Sequence, residues 1–109
     1  MAEVHPIDLL FATIVARGRA SPKNSYTAQL LKRGVAQCAK KLGEEGVEAA
    51  LAAVGGKKKA VVEESADVLY HLLVMWVACG IKPGAVYAAL EGRRKRSGRR
   101  AEKKGRKPR

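Results

Sequence analysis

The sequence predicts an all-α fold, on three observations. Every segment with apolar periodicity repeats at three to four residues, no stretch alternates with period two between hairpin turns, and short links carrying Gly or Pro separate the periodic segments. In "IDLLFATIVARGR", Leu9 or Leu10, Thr13, Ile14 and Arg17 fall on one side, which predicts a short amphipathic first helix. "ASPKNSYTAQLLKRG" begins with turn residues, so Asn24 or Ser25 caps a second helix that stops near Gly34. "VAQCAKKLGEEGVEAALAAV" gives the third helix, ended by Gly55-Gly56, a pair suited to a left-handed C-terminal turn. After a lysine-rich link, "AVVEESADVLYHLLVMWVAC" gives the fourth, ended by Gly80. "KPGAVYAALEGRR" gives a fifth, with Pro83 near its first turn.

The link between the third and fourth helices is short, so the two lie antiparallel and adjacent, as in a helical bundle. From Val68 to Cys79 the fourth helix is apolar nearly all round and needs cover on every side. A chain of 109 residues buries only a modest core, so a homo-oligomer, a dimer in the simplest case, is expected to complete it. Trp76 and Met75 read as core or dimer interface, and His71 as a hydrogen-bonded core residue that could also stand behind Asp67.

The net charge of +12 is unevenly spread. Residues 92–109 hold eleven Lys/Arg against one Glu, whereas residues 1–91 hold eleven basic and nine acidic residues. The expected organisation is therefore one α-helical domain over 1–91 and a basic, mobile tail over 92–109. The body carries no RNA-binding motif and no aromatic stacking platform, with one Trp, three Tyr and one Phe in the whole chain. Nucleic acid is not the expected partner. Cys38 and Cys79 each lie in a helix-like apolar stretch, which reads as two reduced, buried thiols in a cytoplasmic protein. No basic leader precedes an apolar core at the N-terminus, and no apolar run is long enough to span a bilayer, so no membrane role is expected.

The few carboxylates of the body are gathered. Six of its nine acidic residues fall between positions 43 and 67, in two groups: Glu44, Glu45 and Glu48, then Glu63, Glu64 and Asp67. Positions three or four apart share a helix face, so Glu45 with Glu48 and Glu64 with Asp67 form pairs on consecutive antiparallel helices. Such pairs are common on solvated faces. Two of them on adjacent helices, the second leading into an apolar helix, instead suit a hard divalent cation bound by oxygen, Mg²⁺ or Mn²⁺. Lys41, one turn before the first group, and Lys40 beside it are candidate donors to phosphate oxygens left over from metal binding.

These motifs resemble a known family. "E-E-x-x-E" followed by "E-x-x-D" is the signature of the all-α nucleoside-triphosphate pyrophosphohydrolases, the MazG-like group. Within that group, "SYTAQLLKRG", "KLGEEGVEAALAA" and "ADVLYHLLV" look like stretches of the phosphoribosyl-ATP pyrophosphatase branch, a resemblance covering about residues 5–90. Gly46 stands where the family usually has Ala, and the C-terminus is longer and more basic than the family's usual ending. The resemblance implies Mg²⁺-dependent hydrolysis of 1-(5-phosphoribosyl)-ATP to the AMP derivative and pyrophosphate, the second step of histidine biosynthesis. It implies Glu45, Glu48, Glu64 and Asp67 as metal ligands, with Glu44 as an outer-sphere residue or catalytic base. Ser25 and Tyr26 would contact the nucleotide or its phosphoribosyl group. Two other readings compete: a house-cleaning enzyme of the same superfamily acting on free nucleotides, and a helical RNA-binding module driven by the basic tail.

Overall fold

The computed structural model describes residues 4–104, with side chains as far as residue 96. Among the described residues there are five helices and no strand: α1 (Pro6–Gly18), α2 (Tyr26–Arg33), α3 (Val35–Val54), α4 (Lys58–Cys79) and α5 (Pro83–Lys104). The chain is all-α, as the sequence predicts.

Each boundary has a local cause. Pro6 opens α1, where its missing N–H costs nothing, and His5 caps the helix by accepting the Ile7 N–H at 3.1 Å. Ser25 is the N-cap of α2: its Oγ accepts from the Ala28 N–H at 3.0 Å and donates to the Arg17 carbonyl at 3.1 Å. One side chain thus starts α2 and ties it to the end of α1. Gly34 is the single-residue joint between α2 and α3, with φ 91° and ψ −178°, a region open in practice only to glycine. At the far end of α3 the Gly56 N–H bonds the Ala53 carbonyl and the Lys57 N–H reaches back to that of Ala52, with Gly56 left-handed. α4 begins at Lys58, so the link has only three residues, Gly55, Gly56 and Lys57, and two of the three lysines belong to the helix.

That tight turn lays α3 and α4 side by side over their whole length. The core lies at the open end of this hairpin, where α1 and α2 close over it. Ile14, Leu30, Cys38, Leu73, Val74 and Trp76 are buried there, with Phe11, Leu10, Leu72 and Met75 packed around them. Cys38 donates its thiol to the Leu30 carbonyl, and burial raises its pKa. Cys79 departs from expectation: it is exposed at the last turn of α4. Towards the turn the hairpin has no cover. Val47, Leu51 and Val54, at spacings of four and three, form an exposed stripe on α3, and Val62 and Leu69 are exposed on α4. The all-round apolar character of α4 is therefore only half satisfied within one chain.

α5 leaves α4 at a bend of 115° and is tied to α1 by the Tyr87 hydroxyl, which donates to Asp8 at 2.8 Å. It passes through the expected boundary at 91/92 and ends ten residues beyond Arg94, the expected limit of the fifth helix. Arg, Lys, Ala and Glu are good helix formers, and an Arg94–Glu91 ion pair three residues apart supports the extension. Of the tail expected to be mobile, residues 92–104 are helical and 105–109 lie outside the described residues. Among the described residues, no single helix is long and apolar enough to cross a membrane.

A Cβ added at Gly34 or at Gly46 would meet nothing within 4 Å, so the two positions differ only in backbone conformation. Gly34→Ala is expected to cost about 1–3 kcal/mol for the strained φ. Gly46→Ala, mid-helix in α3, is expected to stabilise by up to about 1 kcal/mol. Urea unfolding of the two variants reads both signs.

Candidate active site

The register of the hairpin decides which carboxylates meet. Glu45 on α3 faces Glu64 and Asp67 on α4, and the three offer oxygens that all lie within 4.8 Å of one another. Glu45 and Glu64 are half-buried and Asp67 is exposed. Glu48 stands outside this close set, yet its charge still reaches Glu64. The Glu64 carboxyl is held above its usual range, first by desolvation and then by the charges of Glu45, Asp67, Glu48 and Glu63. An all-oxygen donor set raised in energy by its own crowding fits a hard divalent cation. The four residues expected to bind metal are thus brought together as three, with the fourth one turn further along α3.

Glu44 points its carboxylate at Lys41, 3.4 Å away, rather than into the cluster. That contact, with the charges of Tyr26, Glu44 and Glu45, raises the Lys41 pKa and keeps its ammonium charged. Lys40 is exposed beside it. Lys41 lines a cleft of about 180 Å³ between α2 and α3, together with Tyr26, Gln29, Leu30, Arg33 and Gln37.

Beyond the carboxylates stands a group of three rings. Tyr26 is stacked on Tyr70 at 6.4 Å and meets His71 edge-on at 6.0 Å, and Tyr70 and His71 are 4.9 Å apart. The Tyr70 hydroxyl is hydrogen-bonded to that of buried Thr27, which anchors α4 to α2. His71 is buried, as expected, but its Nδ1 has no hydrogen-bond partner, against the expectation of a satisfied core histidine. Desolvation dominates and lowers its pKa, in spite of the nearby charges of Glu45, Asp67 and Glu44. The imidazole is therefore neutral at pH 7 and walls the site beside the carboxylates.

On the other side of Tyr26 a cavity of about 450 Å³ is lined by Arg17, Ala20, Asn24, Ser25, Tyr26, Thr27 and Tyr70. Ser25 and Tyr26 were legible candidates. Thr27 belongs to the same SYT stretch and Asn24 directly precedes it, whereas Arg17 and Arg33 were not legible, because only the fold brings Arg17 to this cavity and Arg33 to the cleft with Lys41.

An all-α chain whose central hairpin gathers carboxylates beside cationic and aromatic walls defines a class, the MazG-like pyrophosphohydrolases. Residues 7–94 match the family described as phosphoribosyl-ATP pyrophosphohydrolase, and the chain belongs to it. It is 54% identical over 100 residues to a phosphoribosyl-ATP pyrophosphatase of Roseobacter denitrificans, covering 92% of this chain and 94% of that one. It is 50% identical over 101 residues to one of Azospirillum brasilense, covering 93% and 90%, and 52% identical over 99 residues to one of Methylobacterium radiotolerans, covering 91% and 92%.

A carboxyl with a raised folded pKa binds its proton more tightly in the folded state, so its contribution to stability falls as pH rises through that pKa. Glu64→Gln removes this penalty. In EDTA at pH 7 the variant is expected to melt above wild type, with the gap closing as the pH falls below the carboxylate range. Mg²⁺ is expected to raise the Tm of wild type and leave that of the variant in place. Thermal melts across pH, with and without Mg²⁺, read all three.

Proposed function

We propose that this chain hydrolyses 1-(5-phosphoribosyl)-ATP to 1-(5-phosphoribosyl)-AMP and pyrophosphate, with Mg²⁺ as cofactor and Mn²⁺ as a substitute. The observation that carries the reading is the convergence of Glu45, Glu64 and Asp67 to within 4.8 Å, in a chain of this family. Glu45, Glu48, Glu64 and Asp67 would hold the metal, Glu48 closing on the other three as the ion offsets their repulsion. The bound ion would supply neutralisation of the leaving pyrophosphate and a lowered pKa for water.

The chain's own residues supply the rest. Water adds to phosphorus, the bridging oxygen leaves with pyrophosphate, and the water proton passes to a carboxylate oxygen, that of Glu44 in this reading. Lys41 holds Glu44 in place at 3.4 Å and, with Arg33 across the cleft and Lys40 beside it, presents cations to phosphate oxygens. Neutral His71 and the stacked Tyr26–Tyr70 pair form an apolar wall that excludes water from one flank. Tyr26, with its ring half exposed, offers a face for a purine, and Ser25 fixes the corner from which Tyr26 projects.

The same reading includes a homodimer. The stripe of Val47, Leu51 and Val54, with Val62 and Leu69, is an apolar surface next to the site, and Val54 is 87% exposed. It also includes a cytoplasmic location, where the free thiols of Cys38 and Cys79 stay reduced.

Pyrophosphate release from phosphoribosyl-ATP, with Mg²⁺ and then with EDTA and beside ATP and dCTP, tests the activity. Metal-dependent turnover of phosphoribosyl-ATP alone is expected, and turnover of the free nucleotides instead would overturn the substrate. Glu48→Gln is expected to lose turnover by 100-fold or more with its helical circular dichroism intact. Full Mg²⁺-dependent activity in that variant would remove Glu48 from the ligand set. Leu51→Glu is expected to convert a dimer to monomers in analytical ultracentrifugation, and a monomeric wild type would sink the dimer.

A further inference from the structure

The cavity beyond Tyr26 differs in charge from the rest of the site. Asp67, in the carboxylate cluster, and Tyr70, in the cavity wall, are one helical turn apart on α4, yet among the described residues no carboxylate lines the cavity. Among those residues Arg17, in the last turn of α1, is the one charged member of the lining, and no acidic group pairs with its guanidinium. The α1–α2 corner is built around it. Ser25 Oγ bonds the Arg17 carbonyl, which fixes the backbone from which the guanidinium extends, and the Asn24 side chain on the same wall makes no hydrogen bond among the described residues. Tyr26 and Thr27, in the first turn of α2 where N–H groups have no intrahelical partner, are lining residues too. At about 450 Å³ the cavity is within the range of small-molecule sites, on the order of 300–1,000 Å³.

A cavity with a free guanidinium, an amide and a hydroxyl, and without acid, selects an anion. Its neighbour one turn along α4, the carboxylate cluster that includes Asp67, repels anions unless metal intervenes. A ligand that spans both must carry a metal-binding polyphosphate at one end, a planar group in the middle and a separate anion at the other. Resting on the function proposed above, we propose that this cavity receives the terminal phosphate monoester of the substrate's second ribose, with Arg17 as its cation. Arg17 then discriminates phosphoribosyl nucleotides from free ones. ATP has the polyphosphate and the planar base and lacks the second anion, so it fills the site without engaging Arg17.

The test compares binding of phosphoribosyl-AMP and of AMP by calorimetry with Mg²⁺ present, a comparison that needs no turnover. Wild type is expected to bind phosphoribosyl-AMP at least tenfold more tightly than AMP. Arg17→Gln is expected to reduce that gap to less than threefold with AMP binding unchanged, and Arg17→Lys, which keeps charge without the planar fork, to leave an intermediate gap. Arg17 is exposed and its carbonyl carries the contact to Ser25, so the substitutions leave that contact in place. As a reading that needs no variant, ribose 5-phosphate is expected to shift the backbone amide resonances of Tyr26 and Thr27 in wild type. A gap that survives in Arg17→Gln, no gap in wild type, or silent amides would each overturn the assignment. Wild-type turnover of phosphoribosyl-ATP with the gap intact in Arg17→Gln would remove the cavity and keep the activity. A gap lost in the variant, with no turnover by wild type, would keep the cavity and remove the activity.

Discussion

The antiparallel contact of α3 with α4 is the constraint on which the remainder depends. Its geometry is set at one end by a three-residue turn and at the other by the burial of Cys38 against the 71–76 stretch of α4. Between those two fixed points the helices have one register, and that register brings Glu45 opposite Glu64 and Asp67. Apolar burial at the open end thus stabilises a meeting of like charges that the carboxylates themselves oppose. The raised pKa of Glu64, owed first to desolvation and then to its acidic neighbours, carries part of that opposition. The cation proposed for this cluster would meet a preorganised set of oxygens, because the energy that holds them comes from elsewhere in the fold.

Charge is sorted along the molecule with the same economy. Acidic groups cluster on the hairpin, cations come from α1, α2 and the start of α3, and Tyr26 stands where the two meet. Ser25 has an outsized part in this arrangement. Its hydroxyl satisfies one orphan donor of α2 and one carbonyl of α1 at once, and Gln29, donating to the Pro22 carbonyl, and Ser21, accepting from the Lys23 N–H, hold the rest of the corner that carries Tyr26. His71 completes the boundary as a neutral ring, since burial outweighs the acidic charges around it.

Much of this was legible in the sequence because the signals were local. Helix periodicity, the cap at Ser25, the glycine joints at Gly34 and Gly56 and the three- and four-residue spacing of the carboxylates each need only a few neighbouring residues to be read. What escaped depended on tertiary placement. Glu48 has the right spacing on α3, but the crossing of the hairpin leaves it outside the closest set. Cys79 shares an apolar helix with buried residues and is nonetheless exposed at its last turn. The pairing of Glu44 with Lys41 was one of two reachable partners, Glu45 being the other. The extent of α5 was not legible for a different reason: residues 92–109 have no apolar periodicity and include glycines, while the Arg, Lys, Ala and Glu among them favour helix. Arg17 gave no signal at all, since only the folded α1–α2 corner makes it part of a wall.

The brevity of the α3–α4 link also governs how the molecule comes together in time. Closing a three-residue loop costs little chain entropy, and the two helices it joins are neighbours in sequence, so their pairing belongs to the fast, low-contact-order events of folding. The stripe of Val47, Leu51 and Val54 lies on that hairpin and is without cover among the described residues. Folding of the hairpin and protection of its stripe are therefore separate processes. The first is unimolecular and indifferent to dilution; protection by a second copy is bimolecular, and its rate is set by how much protein the cell makes.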